Sequence, residues 1–140
     1  DVLLLYAEAL NENGNSGKAL LYLNKVRQRA RNTNPIDPRR SKQAYIPPTD
    51  ANTLPDITVT NKDQLREKIW HERRLELALE GWRRDDLMRQ KRFGTVMRAY
   101  AAKYNSEKGK HFDDNRDYLF PIPQGERDKS HGMLTQNPGF

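Results

Sequence analysis

Residues 72–87 read Glu-Arg-Arg-Leu-Glu-Leu-Ala-Leu-Glu-Gly-Trp-Arg-Arg-Asp-Asp-Leu, an apolar run in which charges return at helical spacing. Glu72, Glu76 and Glu80 recur every four residues, so on a helix their carboxylates climb one stripe, and neighbouring like charges repel by roughly 0.2–0.5 kcal/mol per pair. Such a stripe needs cations facing it. Within the same stretch Arg73 can reach Glu76, Glu80 can reach Arg83 and Arg84, and Asp86 lies three residues after Arg83. The remaining carboxylate valence must be met from another element, and the nearest predicted cations are Arg27 and Arg29. The expected result is a partly buried ion network of Arg27, Arg29, Glu72, Arg73, Glu76, Glu80, Arg83 and Asp86. If it is buried, deleting one partner strands a charge at roughly 3 to 5 kcal/mol.

The rest of the chain reads as helices separated by one long loop. Leu3, Leu4, Tyr6, Ala7 and Leu10 follow helical spacing up to Gly14, a residue suited to a left-handed C-terminal cap. Ser16 can cap a second helix whose apolar stripe is Ala19, Leu20, Leu23, Val26 and Ala30. The short connection forces an antiparallel hairpin over residues 1–31, and the spacing of small and large residues about Gly14 fits one tetratricopeptide repeat. Residues 32–60 contain Pro35, Pro38, Pro47, Pro48 and Pro55 among Asn, Asp and Thr, which excludes continuous helix. Within this loop Tyr45 and Ile46 are the notable apolar residues, and residues 57–60 could form a brief strand. Asn61 with Gln64 has the form of a capping box and opens a third helix carried by Leu65, Ile69, Leu75, Leu79 and Trp82. Helix resumes over residues 87–104, with Met88, Phe93, Met97 and Tyr100 or Tyr104 pointing inward, and residues 105–140 read as a coil tail ending in the turn sequence Asn137-Pro138-Gly139-Phe140. The fold class is mainly α: tetratricopeptide-like helical hairpins, long irregular loops and a coil C-terminal tail.

A chain of 140 residues suits one compact domain. Its apolar fraction of 35% and mean hydropathy of -1.03 are lean, which points to a piece of something larger. The absence of cysteine excludes disulfides, thiolate metal sites and Cys nucleophiles. No run is long enough to span a bilayer. The net charge of +6 raises the possibility of a nucleic-acid partner. Most of the excess, however, alternates with Glu and Asp between Asn61 and Asn105, the pattern of ion-paired helices rather than of an uncompensated phosphate track.

The motifs of common chemistries are missing. His71-Glu72 begins like a zinc protease helix, but Leu75 stands where the second histidine would be. His71, His111 and His131 are far apart in sequence, so no metal is expected. Asp85-Asp86 and Asp113-Asp114 offer paired carboxylates, a common feature of turns and helix ends as well as of glycosidases. There is no glycine-rich phosphate loop and no nucleophile elbow. Among the aromatic residues, Tyr45 is the candidate platform for a ligand, with Tyr100 and Tyr104 behind it.

Four segments taken together resemble the C-terminal portion of the SusD/RagB family of outer-membrane glycan-binding lipoproteins of Bacteroidetes. They are Leu5-Tyr6-Ala7-Glu8-Ala9-Leu10-Asn11-Glu12 with residues 19–29; Glu72-Arg73-Arg74-Leu75-Glu76-Leu77-Ala78 with Glu80-Gly81 and Arg83; Asp86-Leu87 with Arg89; and Pro121-Ile122-Pro123 with Gln136-Asn137-Pro138-Gly139. Phe140 stands in place of the usual final tyrosine. The resemblance implies a helical domain with tetratricopeptide-like hairpins and no enzymatic activity or cofactor. It implies a surface-exposed outer-membrane lipoprotein, attached only through an upstream lipid anchor, that captures a glycan and delivers oligosaccharide to a SusC-type TonB-dependent transporter. It transfers no ligand-binding residue. The alternatives from the residues alone are a helical-repeat scaffold for protein partners and, from the charge, a nucleic-acid binder.

Overall fold

The computed structural model describes residues 1–31 and 54–140, so Tyr45, Ile46 and the other loop positions from 32 to 53 lie outside the described residues. Among the described residues there are six helices and no strand, and the fold is mainly α: α1 Val2–Glu12, α2 Ser16–Arg31, α3 Lys62–Glu76, α4 Arg83–Arg89, α5 Phe93–Tyr104 and α6 Gln124–Lys129. Two compact units result, Asp1–Ala78 and Leu79–Phe140.

In the first unit α1 and α2 form the expected hairpin. Gly14 has φ +81, and the amides of Gly14 and Asn15 donate to the carbonyls of Asn11 and Leu10 at 3.1 and 2.8 Å. That is the paired hydrogen bonding of a Schellman cap, which a residue with a Cβ would adopt only under strain. Leu4, Ala7, Ala19, Leu23, Val26, Leu65 and Ile69 make the core. The inward stripe of α1 therefore runs 4, 7, 11, whereas the spacing predicts Leu3 and Tyr6 among the inward residues; both are exposed. Asn11 completes the stripe and is fully buried. It is satisfied there because its Nδ2 donates to the carbonyl of Lys62 at 2.8 Å and its Oδ1 accepts from Ser16 Oγ at 2.8 Å. Ser16 thus serves Asn11 rather than the start of α2, and one carboxamide ties the ends of all three helices.

The path into α3 is extended, not a strand. Asn24 on α2 accepts from the Ile57 amide and donates to its carbonyl, both at 2.9 Å, so one side chain replaces the partner strand for that peptide. Asn61 then caps α3, accepting from the amides of Asp63 and Gln64 at 3.1 Å. The helix stops at Glu76 rather than continuing through Leu79 and Trp82. Leu75 is 55% exposed and Leu79 fully so, with φ +69 at Leu79. Among the described residues Leu75 and Leu79 have little to pack on, and an unburied apolar face contributes little to prolonging a helix, however favourable its propensity.

In the second unit the predicted helix over residues 87–104 is two helices, broken where Lys91 takes φ +56. Leu87, Gly94 and Ala101 are buried, and Phe93, Phe112 and Tyr118 form an aromatic chain with centroids 4.9 and 5.0 Å apart. Tyr100 and Tyr104 are exposed rather than inward, their rings tilted against each other with centroids 4.8 Å apart. The tail is coil except for α6. Gln136 grips Ile122 as Asn24 grips Ile57, accepting from its amide at 2.7 Å and donating to its carbonyl at 3.0 Å. Pro123 already biases Ile122 towards extended backbone. Asn137 Nδ2 donates to the Phe120 carbonyl at 2.6 Å, and the final turn closes from the Phe140 amide to the Asn137 carbonyl at 3.3 Å with Gly139 at φ +86.

Candidate functional site

The charged residues singled out by spacing are placed as follows. Arg27 Nη1 donates to Glu72 Oε2 at 2.6 Å, with the two side chains 9% and 5% exposed. Arg27 Nε also donates to the Pro55 carbonyl at 2.9 Å, so the guanidinium joins α2, the extended segment and α3. One turn along, Arg29 pairs with Glu76, but the Arg29 side chain is 67% exposed. Arg73 is buried and donates from Nη1 to Asp1 Oδ1 at 2.6 Å. Glu80 lies beyond the end of α3 and is exposed, so the three-glutamate stripe has two members on the helix. Arg83 is half-buried at the start of α4, and Asp86 is buried and accepts from Arg89 Nε at 2.9 Å. Glu80, Arg83 and Asp86 all belong to the second unit.

A second cluster at the far end of the hairpin has no signal in the periodicity. Arg66 donates from Nη2 to Glu12 Oε2 at 2.7 Å, and Lys62 Nζ lies 3.4 Å from the same oxygen. The Arg66 guanidinium beside Glu12, with Lys62 adding to it, outweighs partial burial and holds the carboxyl below the ordinary carboxylate range. In the tail, Arg116 and then the Asp113 amide lower Asp117 in the same way. These are structural pairings. No group of three or more His, Asp or Glu among the described residues is placed to hold a metal ion.

Among the described residues a groove of about 520 Å³ lies along the hairpin. One stripe of α2, Lys18, Leu21, Tyr22, Lys25 and Gln28, forms most of it, with Tyr6 of α1 and Asp56 of the extended segment. Tyr6 and Tyr22 meet edge to face with centroids 4.8 Å apart, and Lys25 Nζ sits 4.9 Å from the Tyr22 ring centre. The spacing counts Tyr6 among the inward residues of α1, and Tyr22 stands within the second helix without belonging to its apolar stripe, so neither ring is marked as exposed. Alternation alone does not tell an inward tyrosine from one lying at the edge of the packed face.

The SusD family model matches residues 1–140. The chain belongs to the SusD family. Among curated relatives, SusD-like protein P2 of Formosa agariphila is 33% identical over 142 residues, covering 100% of this chain and 24% of the relative. SusD-like protein P38 of the same organism is 38% identical over 98 residues, covering 69% of this chain and 17% of the relative. The chain therefore spans about a quarter or less of the length of the curated relatives it matches. No solved structure matches it significantly. Within this SusD-family chain the four resembling segments are the hairpin, the end of α3, the α4 helix and the Gln136 grip on Ile122. No helix among the described residues is long and apolar enough to cross a membrane.

Proposed function

We propose that residues 1–140 form the C-terminal portion of a non-catalytic, surface-exposed outer-membrane lipoprotein. It captures a glycan and delivers oligosaccharide to a SusC-type TonB-dependent transporter, with its lipid anchor upstream of this stretch. The observation that carries this reading is the family match along the whole chain. Within each helical unit, taken by itself, an extended segment is fastened by a side-chain carboxamide, which suits a surface that must hold its local shape. Affinity electrophoresis of the full-length protein through gels containing single polysaccharides tests it, together with growth of a deletion strain on the glycan that retards the protein. Retardation by at least one glycan and loss of growth on it are expected. Migration unaffected by every glycan offered would refute the proposal.

A further inference from the structure

The groove on the hairpin carries two ammonium groups, those of Lys18 and Lys25. Arg27, Arg29, Arg66 and Arg73 are all committed to carboxylates. Lys18 and Lys25 face the groove without a carboxylate partner among the described residues, and one acid, Asp56, lines it with them, which leaves the lining with a net positive charge. Between the lysines the surface is aromatic and apolar: Tyr6 is 47% exposed and Leu21 64% exposed. A volume of about 520 Å³ lies inside the range of roughly 300–1,000 Å³ typical of small-ligand sites. An occupant must offer C–H faces to tyrosine rings, hydroxyls to Gln28 and negative charge to two ammonium groups. A sugar ring bearing an acid group does all three. A helix from a protein partner would meet Leu21, but its apolar flanks would face Lys18, Lys25 and Gln28.

We infer that the groove formed by Tyr6, Tyr22, Lys18 and Lys25 binds an acidic oligosaccharide, with a sugar ring against the tyrosines and its carboxylate or sulfate groups paired with the lysines. The inference rests on the glycan-capture reading and names a class of ligand for one site within it. Lys18 and Lys25 supply separate point charges rather than a bidentate fork, so the site selects for charge and tolerates either kind of acid group.

The test is calorimetric titration of the full-length protein with trigalacturonate, a sulfated carrageenan tetrasaccharide and neutral maltotriose. At least one acidic probe is expected to bind, more tightly than maltotriose and more weakly as salt rises. Tyr6→Ala should weaken that binding about tenfold through loss of the stacking face. Lys18→Gln and Lys25→Gln should each weaken it about threefold, the effect of a solvent-exposed charge. The lysine changes sit outside the core, so they keep the test decisive even if Tyr6→Ala loosens the hairpin. Acidic binding that all three variants retain at full strength would overturn the groove assignment and leave glycan capture standing. Equal binding of maltotriose, or equal groove-dependent binding of oligoglutamate, would overturn the acidic-saccharide assignment. If none of the three saccharides binds, the inference falls, while retardation by another polysaccharide in the gel assay decides capture separately.

Discussion

Substituting Glu72 by glutamine tests the energetic centre of the first unit. The change keeps size and shape but removes the charge that Arg27 meets at 2.6 Å, where both side chains are within a tenth of full burial. Arg27 would keep its bond to the Pro55 carbonyl and can still donate to the glutamine Oε1, but its buried charge would be left without a counter-charge. Breaking one side of a buried pair costs roughly 3–5 kcal/mol, and the surviving Pro55 bond places this case near about 3 kcal/mol. The neighbouring Arg29 and Glu76 provide an internal control of the same chemistry. With Arg29 67% exposed, solvent screening reduces Glu76→Gln to about 0.5 kcal/mol. Urea unfolding of the full-length protein, followed by the exchange of α2 and α3 amides, reads both changes locally. A double change, Arg27→Met with Glu72→Leu, removes the stranded charge and should regain most of the loss. A Glu72→Gln cost below about 1 kcal/mol, or one no larger than that of Glu76→Gln, would refute the burial argument.

Three further outcomes follow from particular bonds. Asn11→Leu leaves the Lys62 carbonyl and the Ser16 hydroxyl without their partner, and should destabilise the first unit by about 2 kcal/mol in the same unfolding assay. Glu12 has a carboxyl pKa held below its unfolded value by Arg66, so the unfolded state takes up the proton more readily. The stabilisation is present above the unfolded carboxylate pKa and is lost as pH falls through the folded one; Glu12→Gln should flatten the acid limb of a stability-against-pH curve without changing its neutral plateau's slope. Gln136→Ala frees both main-chain groups of Ile122 and should raise the exchange rate of that amide about fivefold, a loss of about 1 kcal/mol, while leaving α1 to α3 untouched.

The hairpin was legible because its signals agree: apolar spacing along α1 and α2, and Gly14 at the one position needing positive φ. The cap at Asn61 was legible for the same reason, since its side chain serves amides two and three residues away. Long-range choices were not. Leu75 and Leu79 have the propensity and spacing of a continuing helix, yet both are exposed, a fact set by what surrounds them rather than by their neighbours in the chain. Helical spacing counted Tyr6 as core in place of Asn11, because the apolar stripe could be drawn at either edge and only the bond to Lys62 makes a buried asparagine tolerable. The charged positions were visible as a pattern, but Glu80 left the stripe when α3 ended. Tyr45, the ligand candidate from sequence, lies outside the described residues, whereas the groove tyrosines were masked by their helical company.

Asn24 and Gln136 hold their extended segments by the peptide group alone. The grip itself is blind to the side chain it holds and bars only proline, although Ile57 also packs against the core and is constrained by that contact. The gripping residues themselves admit little change, since aspartate or glutamate would lose the donor and leucine both functions. A chain built in this manner keeps the course of these two segments by two carboxamides, whatever its other surface positions become.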